Sequence, residues 1–186
     1  MDFPAHPFWD FALDVYRQPG VSEACLQLQE RDHVDVNLLL FTCWVGASGG
    51  GRLSRDEVER CRDAVGPWHD AVVRPLRGVR RTLKGGLGAA PMELSDQLRK
   101  AIQAREIDAE HIEQLMLAAT VRREPDSQTP LSARLHDAAR NALTYLSVLD
   151  ATADATAKGN LAIILGAAFA DAAPSDISAA LAAVAA

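Results

Sequence analysis

The sequence predicts an all-α protein, a single-domain bundle of about seven to nine helices closed by Ala-rich C-terminal helices. Three observations carry that prediction. Apolar residues recur at helical spacing along most of the chain, no run alternates as a half-buried strand does, and no Asn-Gly or Asp-Gly turn is present to close a hairpin. At 186 residues, 48% hydrophobic and 24% charged, the chain is long enough to bury a core and too apolar for disorder. Aromatics make up only 5%, so Leu, Val, Ile and Ala must form most of that core.

The first helix is expected over His6 to Arg17, with Phe8, Phe11, Leu13 and Val15 facing inward, and Pro19-Gly20 ends it. A second runs from Ser22, a good N-cap, to Arg31. A third starts at the N-cap Asp35 and reaches Gly46; it is apolar nearly all round, which marks the central helix. Asn37 is the polar exception near its start. It either bonds backbone there or lies deeper and needs a buried partner. After the link Ser48-Gly49-Gly50-Gly51, Ser54 and Glu57 form a capping box that opens a fourth helix ending near Gly66. Pro67 suits the first turn of a fifth, expected to kink or break at Pro75.

Past the link Gly85 to Pro91, a sixth helix is expected over Glu93 to Arg123, with a break near Ile107-Asp108. Arg122 to Pro130 is polar and holds two prolines, as a loop does. A seventh helix covers Leu131 to Leu149, a short one Asn160 to Ala170, and Pro174 begins the last. This divides the chain into a bundle core, 1–149, and an Ala-rich extension, 150–186, that either docks, pairs with a second copy as a homodimer, or frays.

Net charge is −6, which opposes nonspecific nucleic-acid binding. The charge is unevenly spread: residues 1–51 carry −5, residues 52–84 carry +4 and residues 85–186 carry −5. Within the basic part, Arg74, Arg77, Arg81 and Lys84 recur every three or four residues and share a helical face, with Arg80 at its edge. Arginine forks suit phosphate and carboxylate. The stripe therefore reads either as a site for an acidic protein partner or an anionic small molecule, or as a face neutralised by the acidic flanks. Beside it, Trp68 reads as a core anchor. His69 and Asp70 are adjacent, hence about 100° apart on a helix, so Asp70 is expected to pair with Arg74 rather than with His69.

Asp10 and Asp14, and Asp150 and Asp154, are two carboxylate pairs at helical spacing. All-α prenyl-condensing enzymes hold magnesium against a diphosphate with two aspartate motifs, which makes a small enzyme acting on a phosphorylated or prenyl-diphosphate substrate the alternative reading. Neither pair here carries the flanking acids of those motifs. The histidines share no metal-ligand spacing, Cys25, Cys43 and Cys61 form no CxxC, and neither a phosphate loop nor a nucleophile elbow is present. No cofactor, metal or catalytic residue is predicted. The odd, scattered cysteines, the absence of a signal-like N-terminus and the shortness of the apolar runs predict a cytoplasmic protein with no membrane span.

Phe8-Trp9, Pro19-Gly20-Val21, Ala24 to Gln29, Val36 to Phe41 with Trp44, and Trp68 through Pro75-Leu76-Arg77 with Arg80-Arg81 and Leu83-Lys84 resemble a proteobacterial family of small proteins built on a domain of unknown function. The resemblance spans roughly Phe8 to Met116. It implies a bacterial cytoplasmic protein, brings no activity with it, and draws attention to Trp68, Arg77, Arg80 and Arg81, which stand in matching positions. The reading that follows is a binding or adaptor module whose basic helix face, Arg74 to Lys84, engages an acidic partner or a phosphate-bearing ligand.

Overall fold

The computed structural model describes residues 2–182. Among them the regular structure is entirely helical: α1 (Pro7–Tyr16), α2 (Val21–Asp32), α3 (Val36–Ala47), α4 (Arg55–Trp68), a π-turn (His69–Val73), α5 (Arg74–Thr82), α6 (Met92–Thr120), α7 (Leu131–Val148), α8 (Ala155–Ala168) and α9 (Pro174–Ala182). No helix among these residues is long and apolar enough to cross a membrane.

Helix α3 is the axis of the bundle, as its uniform apolarity requires. Leu38 to Val45 are all buried, and α7, α6, α1 and α4 pack around it. Each such leucine or phenylalanine contributes about 1.5–3 kcal/mol by leaving water. Its start is fixed by Asp35, whose side chain accepts from the Asn37 and Leu38 amides. The closest approach in the core is at Gly46, where a Cβ would sit 2.2 Å from the Ala138 backbone nitrogen. That missing carbon lets α7 lie against α3. Asn141 of α7 then ties in the link that follows: it donates to the carbonyls of Thr42 and Gly51 and accepts from the Leu53 amide. The capping box of Ser54 and Glu57 opens α4 as the sequence predicts.

Several boundaries differ from the sequence reading. Helix α2 starts at Val21 behind Gly20 in the left-handed region, so Ser22 is not its cap. Helix α6 runs unbroken past Ile107-Asp108. Neither Pro67 nor Pro75 breaks the α4–α5 rod. Pro75 lacks an N–H and would crowd the carbonyl four residues back. The ladder widens just before it, with the Arg74 amide bonding to His69 O, and the chain absorbs the proline in a π-turn.

The Ala-rich segment docks through Ala182. Helix α8, capped by Asp154, starts at Ala155 rather than at Asn160 and packs on α2, α1 and α7, burying Leu161, Ile164 and Leu165. Helix α9 covers α7 and α8 with Ile177 and Leu181. These side chains join the same hydrophobic core as α1 to α7.

Candidate functional site

One long face of α6 turns four polar side chains inward: Glu106, Glu110, Glu113 and Gln114. Opposite lies the rod of α4, the π-turn and α5. The arginine stripe meets this acidic row and divides. Arg77 donates from Nε to Glu106 Oε1 (3.0 Å), from Nη2 to Glu110 Oε1 (2.6 Å) and from Nη1 to Gln29 Oε1 of α2 (2.6 Å). Arg80 donates to both oxygens of Glu106, 3.0 Å from Nη2 to Oε1. Burial works against the charge of Glu106, but the hydrogen bonds and charges of Arg80 and Arg77 outweigh it and hold its carboxyl below the ordinary value. Burial pushes Glu110 the other way, and Arg77 only partly offsets it. Arg74 is exposed and bonded to Asp70 at 3.0 Å, the pair the helical spacing predicts. Arg81 and Lys84 are exposed, with no ion-pair partner among the described residues. Trp68 is half-buried and donates from Nε1 to Ala109 O at 3.0 Å, bracing α4 against α6.

Arg77, Arg80 and Arg81 also line a cavity of about 350 Å³ enclosed by α1, α2, α3, α5 and α6. Its walls are mixed: Trp9, Leu13, Tyr16, Leu26, Leu40 and Ile107 share them with the arginines and glutamates of α5 and α6. Three of these stay unusually open to solvent: Tyr16 at 41%, Leu26 at 39% and Ile107 at 45%. Trp9 is held in place by stacking on His111, with ring centroids 3.9 Å apart and planes within 3°.

The polar end of the cavity is Asn37 and Gln114, both buried. Their amide orientations follow from a chain of bonds. The Glu113 carboxylate accepts, so Asn37 turns its Nδ2 toward it (2.7 Å); the Asn37 oxygen then accepts from Gln114 Nε2 (2.9 Å). The chain leaves Gln114 Oε1 as a buried acceptor without a partner. Asn37 therefore takes the deeper of the two positions open to it from sequence.

Behind this end lies a second polar group. His69, the first residue of the π-turn, places Nδ1 2.9 Å from Glu113 Oε1 and 3.4 Å from Asp35 Oδ2. Glu113 is fully buried, and the other two side chains are only 13–16% exposed. Burial and the neighbouring Glu113 push the Asp35 carboxyl up to about 8, against the pull of His69. For His69 burial works against the charge, but Glu113 and Asp35 outweigh it and raise its value. The Tyr145 hydroxyl accepts from the Asp35 amide and steadies the same corner.

The cluster joins residues 34 and 44 positions apart in the sequence, so no linear spacing announces it. The two features that mark its place are the capping role of Asp35 and the lone polar Asn37. The aspartate pairs do not form a site. Asp10, Asp14, Asp150 and Asp154 are exposed, Asp14 is paired with Arg17, and Asp154 is committed to Arg31 and to the start of α8. A magnesium–diphosphate centre of the prenyl-condensing kind, which needs its carboxylates gathered around a cavity, is therefore not built from them.

Comparison with curated proteins and with solved structures returned no match. A family model does match, over residues 7–117, a span that holds the cavity-lining side chains and the Asp35–His69–Glu113 cluster. In agreement with the resemblance carried by residues 8–116, the chain belongs to the family described as protein of unknown function (DUF2390).

Proposed function

We propose that this protein binds a small amphipathic molecule in the cavity between α1, α2, α3, α5 and α6. The carrying observation is a cavity of about 350 Å³ whose lining joins apolar side chains to the buried Asn37 and Gln114 and to Arg81, unpaired among the described residues. A volume of 350 Å³ falls at the small end of ligand sites, which run roughly 300–1,000 Å³. The lining carries three arginines against two glutamates, so a negatively charged group at the Arg81 end is favoured. The ligand class is thus a compact amphipathic body with one carboxylate or phosphate. Of the basic stripe, Arg77 and Arg80 shape the wall through their glutamates, Arg81 is the free anion contact, and Arg74 and Lys84 lie outside the cavity. Burial pushes the thiols of Cys25, Cys43 and Cys61 up to about 12, so they take no part in this chemistry.

Anilinonaphthalene sulfonate, an apolar ring system with one anionic group, tests the reading. It should bind the folded protein at a single saturable site. Leu26→Trp, at the half-exposed rim, should plug the cavity and abolish the signal with the fold intact by circular dichroism. Arg81→Glu should weaken binding about tenfold, the loss of one charge contact. Binding that is non-saturable, or unchanged in Leu26→Trp, rules the cavity out as a ligand site.

A further inference from the structure

We propose that Asp35, His69 and Glu113 form a binding site for a divalent transition-metal ion, held by one imidazole nitrogen and two carboxylate oxygens. The proposal does not rest on the cavity reading. The three donors come from three separate helical elements, and their ligand atoms lie within 4.8 Å of one another. Donors about 2.0–2.2 Å from a common ion stand roughly 3.0–3.5 Å from each other in tetrahedral or octahedral geometry. The distances from His69 Nδ1 are 2.9 Å and 3.4 Å.

Each carboxylate is already oriented by its second oxygen. Asp35 Oδ1 accepts from the Asn37 and Leu38 amides, and Glu113 Oε2 accepts from Asn37 Nδ2. This leaves Asp35 Oδ2 and Glu113 Oε1 turned to the same point as the imidazole, with outer bonds of the kind that fix metal ligands. Two largely buried carboxylates face one imidazole, and among the described residues no lysine or arginine pairs with either. The nearby Arg77 is committed to Glu106, Glu110 and Gln29. A divalent ion neutralises the pair of carboxylates outright. The mixed nitrogen and oxygen set suits Zn²⁺, Fe²⁺, Mn²⁺ or Co²⁺ better than Ca²⁺ or Mg²⁺. The partial exposure of His69 and Asp35 leaves one side for water or another exchangeable ligand. Asn37 touches both Glu113 and the cavity end, so an ion here would stand one residue behind the ligand pocket.

The test is titration of the full-length, chelator-stripped protein with Co²⁺ and with Zn²⁺ alone, followed by visible absorption, calorimetry and thermal unfolding. The expected result is one equivalent bound with micromolar or tighter Kd and a Zn²⁺-dependent rise in Tm. Asp35→Asn keeps the helix cap, since asparagine caps as well as aspartate, but removes a charged ligand. This variant and His69→Gln should each weaken binding at least tenfold and lose the Tm rise; Glu113→Gln should do the same. If wild-type protein shows no saturable uptake, or if uptake survives undiminished in Asp35→Asn and His69→Gln, the site is overturned and the triad is a closed ion pair.

Discussion

Glu106 decides whether the arginine stripe is a wall or a free surface. The structure gives it 5% side-chain exposure and three hydrogen bonds, two from Arg80 and one from Arg77. Replacing it with Gln keeps the shape and one acceptor oxygen but removes the charge. Breaking a buried ion pair by deleting one partner costs about 3–5 kcal/mol. Here the loss is softened, because Arg77 keeps Glu110 and Gln29, and Arg80 at 27% exposure recovers water. The expected cost is therefore about 2–3 kcal/mol. Urea unfolding at pH 7 should show it as a lower midpoint with an unchanged slope. The sign of the pH dependence follows from the depressed carboxyl of Glu106. Its stabilisation is complete above the unfolded carboxylate value, about 4.3, and is lost as pH falls through the lower folded value. The gap between wild type and Glu106→Gln should thus be widest at neutral pH and close below about pH 4. A gap under about 0.5 kcal/mol at pH 7 would mean the pair is solvated like a surface salt bridge. Arg77 and Arg80 would then be free to engage a partner, and the wall reading would fail.

Further expectations concern the core. Gly46→Ala places a carbon against the Ala138 backbone and should abolish accumulation of folded protein, whereas Gly78→Ala in α5 meets nothing within 4 Å and should stabilise by up to about 1 kcal/mol; thermal unfolding separates the two. Asn141→Leu strands the Leu53 amide and takes a donor from the Thr42 and Gly51 carbonyls, and should cost about 2–3 kcal/mol by chemical denaturation. Leu161→Ala, in the Ala-rich segment, removes a fully buried side chain and should cost about 2–5 kcal/mol in a single cooperative transition; a separate early transition would mean that α8 folds apart from the bundle.

Most helices were legible because they carry a local signal: the apolar run of α3, the caps Asp35 and Ser54, the proline that opens α9; the Asp154 cap of α8 went unread, because the alanines after it show no apolar face until Leu161. The Asp70–Arg74 pair was legible for the same reason, since four residues apart is a helical neighbour. The site was not, because its partners come from separate helices. Whether Arg77 faces water or Glu106 depends on the α5–α6 packing. His69 reads as isolated until α6 supplies Glu113 and the start of α3 supplies Asp35. Gln114 carries no local signal, since a glutamine on a long amphipathic helix is ordinarily exposed.

The π-turn supplies the missing register. On an unbroken α-helix at 100° per residue, His69 and Arg77 stand about 80° apart. The extra residue taken up between them, needed to seat Pro75, brings them to within about 20° of one line. A single rod can then present His69 to Glu113 and Arg77 to Glu110 and Glu106, three acids spaced four and three residues apart on one face of α6. Arg74 turns outward to Asp70, the pair its spacing predicts, and His69 takes the inward place. Proline at position 75 thus does more than interrupt a helix. Accommodating it rotates the upstream half of the rod, and that rotation aligns the cavity wall with the Asp35–His69–Glu113 cluster along the same seam of the bundle.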